Sequence, residues 1–173
     1  MKASTFWKTV VADESDFLER VVAALEDNGV RYCVIGGQAV NAYADPVVSL
    51  DLDIAIAVEQ LSLAEEALRR QFHVENFPHS INVSASGSDL RVQLQTDERY
   101  SEMVERSSPR DVLGWTLRVA AVQDVLQGKV WAASDPARRA SKRLKDYSDI
   151  ARLLEVYPEL AERVPGEIRQ RLQ

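Results

Sequence analysis

Residues 49–57, Ser-Leu-Asp-Leu-Asp-Ile-Ala-Ile-Ala, constrain this chain more than any other segment. Leu50, Leu52, Ile54 and Ile56 face one way; Ser49, Asp51, Asp53, Ala55 and Ala57 face the other, the two-residue period of a β-strand. Two carboxylates therefore share a face, about 6.5 Å apart at the rise of a strand. Asp is disfavoured in strands, and two ionised carboxylates side by side repel each other. Leu52 between them offers no compensating charge, and the small neighbours Ser49, Ala55 and Ala57 leave room in front of the pair. A divalent cation turns that repulsion into binding, since Mg²⁺ prefers carboxylate and phosphate oxygens. A solvated polar face on an edge strand would show the same pattern, so the pair alone does not decide.

The segment upstream shifts the balance. Residues 30–35 read as a buried strand, Gly36-Gly37 breaks it, and residues 38–44 look like a short helix ahead of an Asp45-Pro46 turn. Glycine lets a backbone approach a phosphate closely, and N–H groups at a helix start point at an anion. Anion donors and a metal site then fall within one short unit, which metal-bridged phosphates require.

The remaining pattern predicts an α/β chain with a small mixed or mostly antiparallel sheet and helices on one side. Asp13-Glu14-Ser15 precede a helix whose apolar face holds Phe17, Leu18, Val21, Val22 and Leu25, stopped at Asn28-Gly29. Ser62 and Glu65 are spaced as a capping box ahead of Ala64 and Leu68. Residues 80–85 and 90–96 read as a hairpin around Ser86-Gly87-Ser88-Asp89, and residues 112–119 as a further strand weakened by Gly114. Helices follow over residues 122–133, 136–155 and 158–172, with Pro136 in a first helical turn. The expected division is an α/β core over residues 1–120 and a helical region over residues 121–173 that closes the cleft.

Composition bounds the function classes. At 173 residues with 46% hydrophobic content the chain buries a real core within one domain. A net charge of -6 argues against general nucleic-acid coating, which needs excess Lys and Arg. Cys33 is the only cysteine and sits in an apolar run, as a buried, inert thiol would. The start carries Phe6 and Trp7 without a continuous apolar stretch, so no signal peptide is expected, and no segment approaches the roughly 20 apolar residues of a membrane span. A cytoplasmic setting is the expectation.

Gly36-Gly37, thirteen intervening residues, then Asp51-x-Asp53 resembles the signature of the DNA polymerase β-like nucleotidyltransferase superfamily. The fuller run from Tyr32 to Gly37 and from Ser49 to Asp53 is most similar to its small bacterial branch of AbiEii-type toxins, as are Lys129 and Lys145-Asp146-x-x-Asp149 downstream. The likeness covers about residues 16–155. It implies that Gly36 and Gly37 receive a nucleoside triphosphate, and that Asp51 and Asp53 ligate Mg²⁺ (or Mn²⁺) in a two-metal transfer of a nucleotidyl group. Lys129 would approach the triphosphate, and Lys145, Asp146 and Asp149 would complete the cleft wall. The resemblance also implies a third carboxylate on a later strand, where this chain carries Gln93. An amide cannot act as a base. Asp89 or Asp97 would substitute in a different register.

Arg138, Arg139, Lys142, Arg143 and Lys145 crowd one stretch. Either they form a solvated basic face or they track the phosphates of an RNA acceptor such as tRNA, with positions 138, 142 and 145 on one face. Trp115 and Trp131 are expected in packing, His73 and His79 on the surface, and Ser84, Ser86 and Ser88 without a base to activate them. The favoured function is nucleotidyl transfer to a hydroxyl of RNA or protein, with an antitoxin as partner of a toxin. A degenerate nucleotide binder, an enzyme acting on an aminoglycoside-like compound and a pure interaction module stay open beside it.

Overall fold

The computed structural model describes the backbone from residue 12 and side chains from residue 16 to the C terminus. Residues 1–11, including Phe6 and Trp7, lie outside the described residues. The first described helix, α1 (Ala12–Asp27), takes in Asp13-Glu14-Ser15 rather than starting after them. Its apolar stripe is buried as the spacing required, with Phe17 and Leu18 at 2% exposure and Val21 and Leu25 at 0%. Gly29 ends it at φ +67°, donating to the Glu26 carbonyl at 2.9 Å while the Val30 N–H reaches the Leu25 carbonyl at 2.9 Å. That pair of bonds is a Schellman stop, and the left-handed residue suits glycine.

Strand β1 (Tyr32–Ile35) leads directly into α2 (Gly36–Asn41), and β2 (Asp51–Ile56) returns antiparallel to β1. A single turn of 3₁₀ helix (Val58–Gln60) leads into α3 (Leu61–Arg69). Strands β3 (His73–Phe77), β4 (Ser80–Ser84) and β5 (Arg91–Gln95) form an antiparallel meander that joins β2 through a parallel β2–β5 pairing. After α4 (Ser101–Glu105), β6 (Ser108–Val112) and β7 (Trp115–Val119) make a hairpin whose second strand runs parallel to β1. The seven-stranded mixed sheet has the order β3-β4-β5-β2-β1-β7-β6. Helices α5 (Val122–Ser134), α6 (Ala140–Val156) and α7 (Gly166–Arg171) complete the chain, with a 3₁₀ segment (Pro158–Arg163) between the last two.

Several local expectations are corrected. Residues 112–119 are not one strand: Leu113 and Gly114 turn the chain at φ 57° and 86°, so Gly114 marks a hairpin instead of weakening a strand. Strand β3 carries no alternating apolar pattern, since only Val74 of its five residues is buried; pairing with β4 and bonds from Arg69 of α3 to the Val74 carbonyl and Asn76 hold it. Ser62 caps nothing; α3 starts at Leu61, and Glu65 pairs with Arg69 and accepts from Asn76. Pro136 stays outside a helix, because α6 begins only at Ala140. The last predicted helix is interrupted at Val164-Pro165, as proline cannot continue a helical ladder.

The expectation of helices on one side is also revised. All four residues of β1 are buried, and so are Ile54, Ala55 and Ile56 of β2. Successive strand residues face opposite ways, so both faces of the sheet centre are covered. Leu52, Ile54, Val92, Leu94, Ile81 and Val83 form the continuous apolar face. On the opposite face the outer strands stay polar, and that difference leaves room for a cleft. Among the described residues no helix is long and apolar enough to cross a membrane.

Cys33 lies fully buried in β1, and burial pushes its thiol up to about 12. The thiolate is the reactive form. A maleimide in mildly alkaline buffer should therefore leave the folded protein unlabelled and modify one thiol per chain in guanidinium; labelling at equal rates in both would show that β1 is not packed as described.

Candidate active site

A cleft of about 500 Å³ opens between the polar face of the sheet and helices α5 and α6. Gly36, Gly37, Asp51, Asp53, Gln93, Lys129, Arg138, Lys142, Lys145 and Asp146 all line it. The sequence thus places its glycine pair and its carboxylate pair in one cavity, together with the helix cations.

The local fold explains this meeting. Ile35 pairs with Asp53 across the β1–β2 ladder, so the residue that follows Ile35 lies beside the Asp53 side chain. That residue, Gly36, has φ +67°, and a Cβ placed on it would lie 2.2 Å from Asp53 Oδ2. No side chain fits there. The carboxylate takes the volume that any other residue would fill. Ile35, in the N-cap position of α2, makes no side-chain cap bond to the first N–H groups, and the residues that follow it, Gly36 and Gly37, line the cleft.

Gln38 and Asn41 tie this turn to the aspartate strand, a role that their residue types did not announce. Gln38 is 1% exposed and donates from Nε2 to the Ser49 carbonyl at 2.8 Å. Asn41 both donates to the Val47 carbonyl at 2.7 Å and accepts from the Val47 N–H at 2.9 Å. Arg152 of α6 donates to Asn41 Oδ1 at 2.7 Å and to the Asp45 carbonyl, so the helical region holds the same loop.

Electrostatics at the carboxylate pair are uneven. Burial pushes Asp53 above its ordinary value; Lys129 opposes the shift, Asp51 adds to it, and Arg138 and Lys145 pull it back. Asp51 is one-third exposed and pairs with Arg91 Nη2 at 2.8 Å, its in-register neighbour on β5. The carboxylate oxygens of Asp51 and Asp53, which line the same cleft, are hard donors that would suit Mg²⁺ or Mn²⁺. Among the described residues no group of three His, Cys, Asp or Glu side chains gathers as a metal site.

Gln93 lies directly opposite Asp53 in the β2–β5 register, the place where a third carboxylate would stand. The alternatives lie elsewhere: neither Asp89 nor Asp97 lines the cleft, and Asp97 accepts from the Arg99 N–H and side chain at 2.9 Å.

Lys129, Asp146 and Asp149 form a buried network at 8%, 1% and 3% exposure. Lys129 Nζ lies 3.2 Å from Asp146 Oδ1 and 2.7 Å from Asp149 Oδ2. Arg138 Nε reaches Asp146 Oδ2 at 2.9 Å, and Arg152 Nη1 reaches Asp149 Oδ1 at 2.8 Å. Asp149 does not line the cleft. These carboxylates are committed to cations and join α5 to α6, Asp146 in the cleft wall and Asp149 behind it. Of the basic stretch, Arg138, Lys142 and Lys145 face the cleft; Arg143 turns to the carbonyls of Asp135, Pro136 and Arg138, and Arg139 is exposed away from it. Trp115 and Trp131 pack against the core, with Trp131 edge-on to Tyr100 at 5.6 Å, and His73 and His79 are exposed.

No protein-family model matches the sequence, and no curated protein does. Solved structures match over most of the chain. The solution structure of the antibiotic-resistance factor ANT(2'')-Ia aligns with a TM-score of 0.64 at 17% identity, covering 92% of this chain and 93% of that one. The lincomycin-bound crystal structure of the lincosamide antibiotic adenylyltransferase LnuA gives 0.54 at 10% identity, over 79% of this chain and 95% of that one. A putative nucleotidyltransferase from Thermotoga maritima gives 0.53 at 13% identity, over 84% of this chain and 94% of that one. The chain has the nucleotidyltransferase fold. Within this nucleotidyltransferase fold the cleft described above holds both sequence motifs, the glycine turn and the aspartate pair.

Three substitutions test the construction of the site. Gly36→Ala should cost about 1–2 kcal/mol from the left-handed backbone alone, displace Asp53 and abolish Mn²⁺ binding measured by calorimetry. Lys129→Ala should lower stability in urea by about 3 kcal/mol, because it leaves buried carboxylates short of a cation, whereas Lys145→Ala should leave the urea midpoint unchanged.

Proposed function

We propose that this protein is a metal-dependent nucleotidyltransferase that moves a nucleoside monophosphate from a nucleoside triphosphate to an acceptor hydroxyl. The observation that carries the reading is the bare α-carbon of Gly36 against Asp53 in a cleft that Asp51 also lines. Asp51 and Asp53 would hold Mg²⁺ or Mn²⁺. The bound ion neutralises phosphate oxygens as charge builds on them. Gly36 and Gly37 would take the triphosphate on backbone N–H groups, with Lys142 and Lys145 facing it as point charges. The acceptor hydroxyl oxygen attacks the α-phosphorus, and the bond from that phosphorus to the oxygen bridging to the β-phosphate breaks. Pyrophosphate leaves with the electron pair, and the hydroxyl proton is lost to solvent. Asp51 must exchange Arg91 for the cation, which frees the guanidinium for phosphate.

Gln93 supports a second reading. An amide beside Asp53 can orient a hydroxyl but cannot take its proton, so the chain would bind nucleotide and transfer slowly or not at all.

The sequence resemblance points to an RNA or protein acceptor in a cytoplasmic toxin–antitoxin pair, with Arg138, Lys142 and Lys145 as the RNA track. Neighbours in fold offer another class: ANT(2'')-Ia has been crystallised with adenylyl-2''-tobramycin. Arg138, Lys142 and Lys145 line the wall that the triphosphate needs, which leaves less for an RNA backbone.

Incubation with labelled nucleoside triphosphates, Mg²⁺ and a panel of acceptors should release pyrophosphate, and Asp53→Asn should abolish the release. Gln93→Asp should raise turnover by roughly tenfold or more, as an added general base does. Nucleotide binding without pyrophosphate release by any acceptor would support the binding-only reading, and no binding at all would remove both.

A further inference from the structure

The β2–β5, β5–β4 and β4–β3 registers place Asp53, Gln93, Asn82 and Glu75 in one row across the sheet. In-register partners point to the same face, and all four residues line the cleft. With neighbouring strands about 4.8 Å apart, the row runs about 14 Å from the candidate metal site to Glu75. Gln95 and Ser84 flank it on the same face. Along this floor the side chains are amides, a hydroxyl and one terminal acid; the only cation on it is Arg91, paired with Asp51. Lys129, Arg138, Lys142 and Lys145 all stand on the opposite wall, formed by α5 and α6 and the loop between them.

Asn82 Oδ1 is buried and has no hydrogen-bond partner. A buried acceptor without a donor carries a desolvation cost that a donor from a bound molecule would remove. Glu75, at the far end, is 60% exposed, with only His73 Nε2 beside it at 3.5 Å. The floor thus offers acceptors and amide donors along its length and a negative charge at its end.

We propose that the row Gln93–Asn82–Glu75 is the acceptor subsite, built for an elongated polyhydroxylated compound that carries an amino group. The inference rests on the nucleotidyl-transfer reading for its direction: the reacting hydroxyl lies at Gln93, beside Asp53, and the amine at Glu75. Hydroxyl groups satisfy Gln93 and Asn82, each of which can both donate and accept through its amide. An ammonium group pairs with Glu75. A nucleic-acid backbone finds along Gln93, Asn82 and Glu75 no cation and one terminal acid, which is the wrong charge for phosphates.

Binding calorimetry on the full chain, with a nonhydrolysable triphosphate and Mg²⁺ present, tests the assignment. The probes are a glucosamine trimer, maltotriose as its uncharged counterpart of equal length, and total tRNA. The trimer should bind about tenfold or more tighter than maltotriose, the scale of a charge-assisted hydrogen bond. Glu75→Gln, an exposed change with no fold at stake, should erase that difference while nucleotide affinity persists. Asn82→Ala should weaken both sugars, with an unchanged melting temperature confirming the fold. Absence of trimer binding, equal binding of the two sugars, an unaltered ratio in Glu75→Gln, or binding of tRNA alone would each overturn the assignment. Failure of the triphosphate itself to bind the unmodified protein would instead remove the nucleotidyl-transfer reading.

Discussion

The contact between the Asp53 carboxylate and the bare α-carbon of Gly36 organises this structure. It couples two requirements that would otherwise be independent: a left-handed turn with no room for a Cβ, and a carboxylate oxygen held within a partly buried pocket. The β1–β2 register makes the contact obligatory, because pairing Ile35 with Asp53 leaves the next residue nowhere else to go. Placing a carboxylate there carries a desolvation cost, visible in the upward push on Asp53, and the surrounding cations offset only part of it. On the proposed reading, a cation bound between Asp51 and Asp53 would offset the rest.

The helical region completes the site through the Lys129–Asp146–Asp149 network. Buried charges are tolerated only when each has partners, and here two aspartates share Lys129 while Arg138 and Arg152 hold their outer oxygens. Arg152 extends the chain of contacts to Asn41 and the loop before β2. The wall bearing Lys142 and Lys145 is thereby fixed relative to the aspartate strand, so cleft geometry and helix packing stand or fall together.

Much of this was legible in the sequence, for physical reasons that differ by element. Strand β2 and helix α1 announced themselves because their apolar periods match one face of a strand and one face of a helix. The glycine and aspartate motifs lay close enough in the chain for a single ladder to bring them together. Strand β3 was invisible because one buried valine makes no period, and its partner strand supplies the order. The β6–β7 hairpin read as a single strand because its turn, Leu113-Gly114, uses a leucine in a left-handed conformation that no residue rule favours. The commitment of Asp146 and Asp149 to Lys129 could not be read from spacing, since it depends on how α5 and α6 pack. Nor could the roles of Gln38 and Asn41, polar residues in a short helix whose partners are loop carbonyls.

The account stands on the claim that Asp51 and Asp53 together bind a cation carrying a polyphosphate. Electron paramagnetic resonance of Mn²⁺, titrated into the protein with and without a nonhydrolysable nucleoside triphosphate, addresses it directly. The account predicts one bound ion per chain, tightened by the triphosphate and lost in Asp51→Asn with the fold intact. Free Mn²⁺ signal throughout the titration, or binding that survives in Asp51→Asn, would contradict it.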